Sequence, residues 1–420
     1  MKLHERDTLS RPRTRITVRT KLSCIAQRAR KDKDIKFNSL MHLMNKGTLK
    51  EAFRRISASA SPGIDGETKM SYEKKLGDNI NNLINRLKKN SFKPCPVIRK
   101  YIPKEVSNKK RPLGIPILED KIVQTALVII LESIYEQDFL RFSYGFRPGR
   151  SHHWIMKFLQ HRIKDTKILN LIKRFLKAGV IKEGKVEKTD KGVPQSGSLS
   201  PLLGNIYLHY VLDLWFDKKV VKHCKGEAYI IRFANDSVAC FQYENDACSF
   251  YKALISRLNK FGLCISQEKI KIIEFGRFAS RDIKRRGGSK PETFDFLGIT
   301  HYCGKSRKGR FKIKWKTSKK KFNAKVKEFN KWMKEHRHMP LDEMWKRINS
   351  KLRGHYNYYG VSDNWDNLVS FKKKVENITY KWLKRRNQKS KLTWKRFRNM
   401  LKNYPLESPI KLINLNSAFV

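Results

Sequence analysis

Fifty-five uncompensated positive charges set the terms on which this chain can fold: 93 Lys and Arg stand against 38 Asp and Glu in 420 residues. A compact body so charged repels itself unless it works against a polyanion. Nucleic acid fits that role best, because Lys and Arg contacts to phosphate release counterions and dominate affinity. A basic membrane-surface protein fits less well, since the charge is spread along the whole chain and no polybasic anchor adjoins an apolar segment. Hydrophobic residues make up 40% and aromatics 11%, enough for a sizeable core and, at this length, two or three domains. No run reaches the roughly 18 apolar residues of a membrane span, so no membrane partner is expected. Met1 to Ser10 lacks the apolar heart of a secretion signal. The Arg- and Thr-rich stretch from Arg11 to Lys21 reads as an RNA-binding arm rather than an organellar transit peptide, given Glu5 and Asp7. Residues 1–37 are therefore expected to be a basic, flexible lead-in, and the protein to reside in bacterial cytoplasm rather than an organelle. The seven cysteines form no C-x-x-C pair, which points to reduced thiols and not a zinc site.

Apolar periodicity predicts helices over Asn38–Ile56, broken by the turn chemistry of SASPGIDG, and again over Tyr72–Lys89. LEDKIVQTALVIILESIY reads as a strongly apolar helix. VPQSGSLSPLLGNIYLHYVLDLWF reads as a loop leading into a long one. AYIIRFANDSVACF, Ala228 to Phe241, predicts two β-branched strands around a tight turn. From His301 to Val420 there are 33 Lys and Arg against 8 Asp and Glu, with six of the eight tryptophans. Helical spacing dominates there, which predicts a separate basic helical domain over residues 305–420 with most tryptophans in its core.

Six blocks stand in order: SPGIDG, RPLGIP, SYGFRPGRS, GVPQSGSLSPLLGNIYLH, FAND and FDFLGI. This series resembles the ordered motifs of group II intron-encoded reverse transcriptases. LRGHYNYYGVSDN, Leu352 to Asn364, resembles the signature of their maturase, or thumb, domain. The resemblance implies an α+β right-hand polymerase, with fingers and palm over residues 38–304 and an α-helical thumb over 305–420. It also implies RNA-directed DNA polymerase activity, assistance to intron splicing and mobility, Mg²⁺ as cofactor, and group II intron RNA as partner. Target DNA, and dNTP if the enzyme is active, follow from the same likeness. No endonuclease domain is expected, because no Cys/His-rich or H-N-H-like tail follows the thumb.

Nucleotide transfer with two Mg²⁺ ions needs several converging carboxylates, because Mg²⁺ prefers hard oxygen donors. In the family these come from one Asp on a central palm strand and two in a Tyr-Ala-Asp-Asp turn. Here the turn reads Phe233-Ala234-Asn235-Asp236. Asp236 is the remaining catalytic and metal-binding candidate. Asn235 occupies an expected Asp position and brings no negative charge. Phe233 keeps the ring of the usual Tyr. A second departure is larger: Ser151-His152 runs straight into HWIMKFL, which resembles the end of the block that should carry the first catalytic Asp. A strand with flanking helical pieces, roughly 30 residues by the size of such units, is missing. Such a loss should leave neighbouring strand edges and apolar faces exposed. Asp213 and Asp217 in VLDLWFD do not replace it. Their spacing puts them on one face of a continuing helix, as solvated acids.

The resemblance also places Lys109, Lys110 and Arg111 where the fingers contact the incoming triphosphate. Gln195 falls in the nucleotide- and template-binding PQSG block, where Ser196 stands for a family Gly and could crowd the backbone. Lys269 matches a lysine that helps protonate leaving pyrophosphate. In the basic domain Lys314, Lys316, Lys319, Lys320, Lys321, Arg353 and Tyr356 are candidates for RNA binding, by phosphate contact and base stacking. Three readings follow: an active polymerase of the family's type, an RNA-binding maturase module without synthesis, or a decayed copy that does neither.

Overall fold

The computed structural model describes residues 10–104, 107–144, 152–182, 185–187, 197–263, 265, 268, 270–387, 390–409 and 413. Among these, ten strands are interleaved with helices: β1 Val97–Lys104, β2 Ser107–Ile115, β3 Ser143–Tyr144, β4 Val180–Lys182, β5 Lys185–Glu187, β6 Ala228–Phe233, β7 Asp236–Phe241, β8 Phe294–Phe296, β9 Ile299–Lys305 and β10 Phe311–Thr317. They form three small sheets, β2-β1-β4-β5, β3-β6-β7 and β10-β9-β8. This is the mixed α+β architecture expected. The residues cluster into two compact units that divide between Ile270 and Lys271, not after residue 304. The β8–β10 sheet goes with the helical part because its last strand is tied into it: Thr317 N donates to Asn364 Oδ1 at 2.7 Å, and Asn364 Nδ2 donates to Thr317 Oγ1 at 2.8 Å.

In the first unit the helix Leu118–Tyr135 is buried on nearly every side, Ile122, Val123, Ala126, Leu127, Ile130 and Leu131 being fully enclosed. A helix apolar all round belongs in a core. Its first turn carries Glu119 and Asp120, and the Glu119 carboxylate suits the positive end of the helix dipole. Asp165 joins two segments. Its Oδ1 caps the helix Thr166–Leu176 by accepting from Lys167 N and Ile168 N, while Oδ2 accepts from Leu40 N and Met41 N. The stretch read as a flexible lead-in is helical over Ser10–Lys31, with Ile25 and Ala29 buried in the core. Arg162, itself 2% exposed, explains the docking: its guanidinium donates to the carbonyls of Ala29 and Asp32 at 2.9 and 3.0 Å and faces Asp138 at 3.0 Å. It thereby satisfies carbonyls that a helix end leaves open.

The second unit packs the helices Lys319–His336, Leu341–Tyr359 and Trp365–Lys384 around Met333, Met344, Ile348, Leu352, Leu368 and Val375. Trp345 and Trp382 lie in this core, whereas Trp365 and Trp394 are 44% and 41% exposed. His355 stacks on Phe371 with centroids 3.8 Å apart, and burial together with Lys325 lowers its pKa to about 4. The unfolded chain takes up that proton near pH 6.5, so stability present above that pH is lost as pH falls toward 4. The full shift corresponds to about 3 kcal/mol. Asp120, whose pKa burial raises to about 7, works in the opposite direction in the first unit. The expected outcome is therefore a difference between proteins. His355→Phe keeps the stack and flattens the acid limb of thermal stability between pH 6.5 and 4, and parallel curves for the two proteins would contradict it.

Candidate active-site hairpin

Strand β6 alternates strictly: Ala228, Ile230 and Arg232 point inward, and Tyr229, Ile231 and Phe233 outward. It pairs with β7 from Ala228↔Phe241 to Phe233↔Asp236, leaving Ala234 and Asn235 as the two-residue loop. Of these only Ala234 has a positive φ, 57°, at the first loop position, where glycine is the usual choice in a hairpin turn. The strained residue is held from below. Arg232 Nη1 donates to Ala234 O and to Asn205 Oδ1, both at 3.2 Å.

Arg232 is fully buried, so each of its five donors needs an acceptor. Besides Ala234 and Asn205, Nε donates to Asp213 Oδ1 at 2.6 Å, and Nη2 reaches Asp213 Oδ2 and Ser143 Oγ. All five are satisfied. This network fixes the hairpin to β3, whose Ser143 pairs in parallel with Arg232, and to the helical run Leu199–His223. Asp213 therefore differs from its sequence reading: it is fully buried, while Asp217 is exposed. The helix does continue as expected, but π-helical turns at His209–Asp213 and Phe216–Val220 widen its period. Residues four apart no longer share a face.

Asn235 and Asp236 stand exposed at the tip, and Phe233 is 39% exposed. Both oxygens of Asp213 are committed to Arg232, and the sequence between Tyr144 and His152 contains no acid. Among the described residues no three His, Cys, Asp or Glu side chains lie close enough to hold a metal ion. The donor set among the described residues does not fit a pair of Mg²⁺ ions, which requires several carboxylates. Beside the tip, Tyr229 is 62% and Ile231 50% exposed, and β3 lies against only Arg232 and Phe233 of β6. Among the described residues the rest of that β6 edge has no strand neighbour.

Lys110 lies exposed on β2; Arg111 is on the same strand, with its side chain outside the described residues. Gln195 and Lys269 also lie outside them. Lys314 and Lys316 share a face of β10, and Lys316 Nζ sits 5.1 Å from the Tyr302 ring centre. Lys319, Lys320 and Lys321 form the first turn of the helix Lys319–His336. Arg353 pairs with Glu407 at 2.7 Å but stays half exposed. Tyr356 is corrected: 8% exposed, with its hydroxyl on Glu407 O at 3.1 Å, it is a core residue and not a stacking surface.

Two family profiles match the chain: reverse transcriptase (RNA-dependent DNA polymerase) over residues 151–301, and the group II intron maturase-specific domain over 319–401. The group II intron-encoded protein LtrA of Lactococcus lactis subsp. cremoris is 30% identical, across 70% of this chain and 65% of LtrA. The chain belongs to the group II intron reverse transcriptase/maturase family. It is also 32% identical to the uncharacterized 91 kDa protein in the cob intron of Schizosaccharomyces pombe, over 40% of this chain and 24% of that protein. A putative COX1/OXI3 intron 2 protein of Saccharomyces cerevisiae is 32% identical over 37% and 21%. The chain thus spans just under two thirds of LtrA and a quarter or less of the yeast relatives. The reverse transcriptase profile starts its match at Ser151.

Reading this family member by sequence missed Arg232, Asp213, Asn205 and Ser143. One signal was present: in an alternating strand, Arg232 falls on the inward register with Ala228 and Ile230, and a buried guanidinium requires a carboxylate nearby.

Proposed function

We propose that this chain is an RNA-binding maturase of the family, with group II intron RNA as its partner, whose hairpin does not assemble a metal site for DNA synthesis. The observation that carries this reading is the count of acids at the tip: Asp236 alone, beside Asn235, with Asp213 locked under Arg232. The profile start at Ser151 supports the loss of one strand unit. In this reading Lys110, Arg111, Gln195, Phe233 and Lys269 keep the family's places for dNTP and template without catalysing transfer, and target DNA is engaged, if at all, only by binding. The Lactococcus relative favours a bacterial cytoplasm.

Several features suit the second unit to RNA. Gly304 leaves room for the Lys314 stem to lie flat across β9, since a Cβ there would come within 2.9 Å of it. Lys319–Lys321 crowd the positive end of a helix dipole with no acid in the first turn. That arrangement is unfavourable for a free helix and favourable around a bound phosphate. Trp394 stacks on Tyr380 at 4.0 Å while remaining 41% exposed, an aromatic platform suited to an unpaired base. Filter binding of intron RNA over a range of salt should show tight association with a steep salt dependence. Replacing Lys314 and Lys316 with Gln should lower the slope of log K against log salt by about 2, one for each phosphate left without its lysine. Weak binding with a flat salt dependence in the unaltered protein would overturn the reading.

A further inference from the structure

The first unit holds an open cavity of about 580 Å³ whose lining includes Lys93, Lys173 and Lys177. Its walls are fixed. Arg174, also in the lining, donates from Nη1 to Asn90 O at 2.9 Å and Phe92 O at 2.8 Å, joining the helix Thr166–Leu176 to the loop before β1. Phe92 is 2% exposed and packs on Phe175 at 6.0 Å, so the residue after it, Lys93, projects from an anchored point. Val97 N donates to Gly179 O at 3.3 Å, and the parallel pairing of β1 with β4 ties the two walls together beyond it.

The lining is chemically one-sided. Pro94 and Pro96 contribute flat, rigid surface without N–H groups, Asn170 adds a neutral donor, and among the described residues no acidic side chain lines the cavity. None of Lys93, Lys173 and Lys177 forms an ion pair among the described residues, and all three are exposed. Cations at the end of a helix offset its dipole, which accounts for Lys173 and Lys177 but not for Lys93, which lies in the loop before β1. Three unpaired ammonium groups lining one concavity repel one another, and an anion bound among them would relieve that repulsion.

We propose that this cavity is a phosphate-binding site. Its volume lies in the range of small-ligand pockets, large enough for a phosphate together with its sugar, and the proline walls suit the apolar faces of a ribose or base. The favoured source is a phosphodiester of bound RNA. That choice deepens the RNA-binding reading and rests on it. A free polyphosphate carries the same chemistry. The site uses none of the hairpin residues.

The test compares Lys93→Gln/Lys173→Gln/Lys177→Gln with Lys218→Gln/Lys219→Gln/Lys222→Gln, which removes the same charge from exposed positions elsewhere. Full-length proteins are titrated with intron RNA at several salt concentrations. Their lysines are then footprinted by acetylation in the presence of RNA or of inorganic tripolyphosphate. The cavity variant should lose about 2 to 3 from the salt slope and the control less than 1. RNA should protect Lys93 and Lys173. Protection by tripolyphosphate alone supports the site and assigns it to a free polyphosphate. No protection by either ligand, with the two triple variants indistinguishable, overturns the proposal. If wild-type protein then still binds RNA steeply with salt, the RNA reading stands without this cavity. Wild-type protein that fails to bind RNA sinks that reading, while the tripolyphosphate arm still decides the cavity.

Discussion

Arg232→Met should destabilise the first unit by about 3–5 kcal/mol, the range for removing one partner of a buried ion pair. The variant leaves Asp213 fully buried with its carboxylate unpaired, and deprives Ala234 O, Asn205 Oδ1 and Ser143 Oγ of their donor. Urea unfolding followed by circular dichroism reads the loss directly. Arg232→Met combined with Asp213→Leu should recover most of it, because replacing both charges by apolar groups removes the orphaned carboxylate. A loss below about 1 kcal/mol for the single variant would show that water reaches Asp213, and that the network does not hold the hairpin as described.

Asn235→Asp alone should leave DNA synthesis at background. It restores one carboxylate at the tip, next to Asp236, but in the proposed reading the strand that would bring another is absent. Removing a single preorganised electrostatic group from a catalytic site typically lowers rate by about 10²–10³-fold, and the one carboxylate this variant still lacks is such a group. Synthesis should appear only when Asn235→Asp is combined with insertion, between Ser151 and His152, of the strand unit from an intact relative. The inserted strand also has a place to go, since the β6 edge below Arg232 has no strand neighbour among the described residues and Tyr229 and Ile231 stand exposed beside it. Primer extension measures the outcome, and robust synthesis by Asn235→Asp alone would show that the first carboxylate is supplied from elsewhere.

Much of this architecture could be read from the residues. The β-branched run on each side of FAND predicts β6, β7 and their two-residue loop in the register found, because alternation and turn length leave little choice. The apolar run in LEDKIVQTALVIILESIY predicts the enclosed helix Leu118–Tyr135. Tyr356 was legible too. With Leu352, His355 and Tyr359 it forms a stripe at helical spacing, and all four are buried, so the core role outweighs the stacking role that its basic neighbours suggest. Asp213 was not legible. Its burial depends on π-helical turns, which shift the face by a fraction of a turn and leave no mark in composition. The docking of the N-terminal helix was equally hidden, because it hangs on one buried residue, Arg162, far away in sequence.

That this hairpin does not support nucleotide transfer is tested most directly by incorporation of labelled nucleotide. Purified full-length protein is given a primed RNA template, dNTPs and Mg²⁺. Incorporation should be no higher than in a protein-free control, with Asp236→Ala indistinguishable from the unaltered chain. Incorporation clearly above the control that Asp236→Ala abolishes would contradict it.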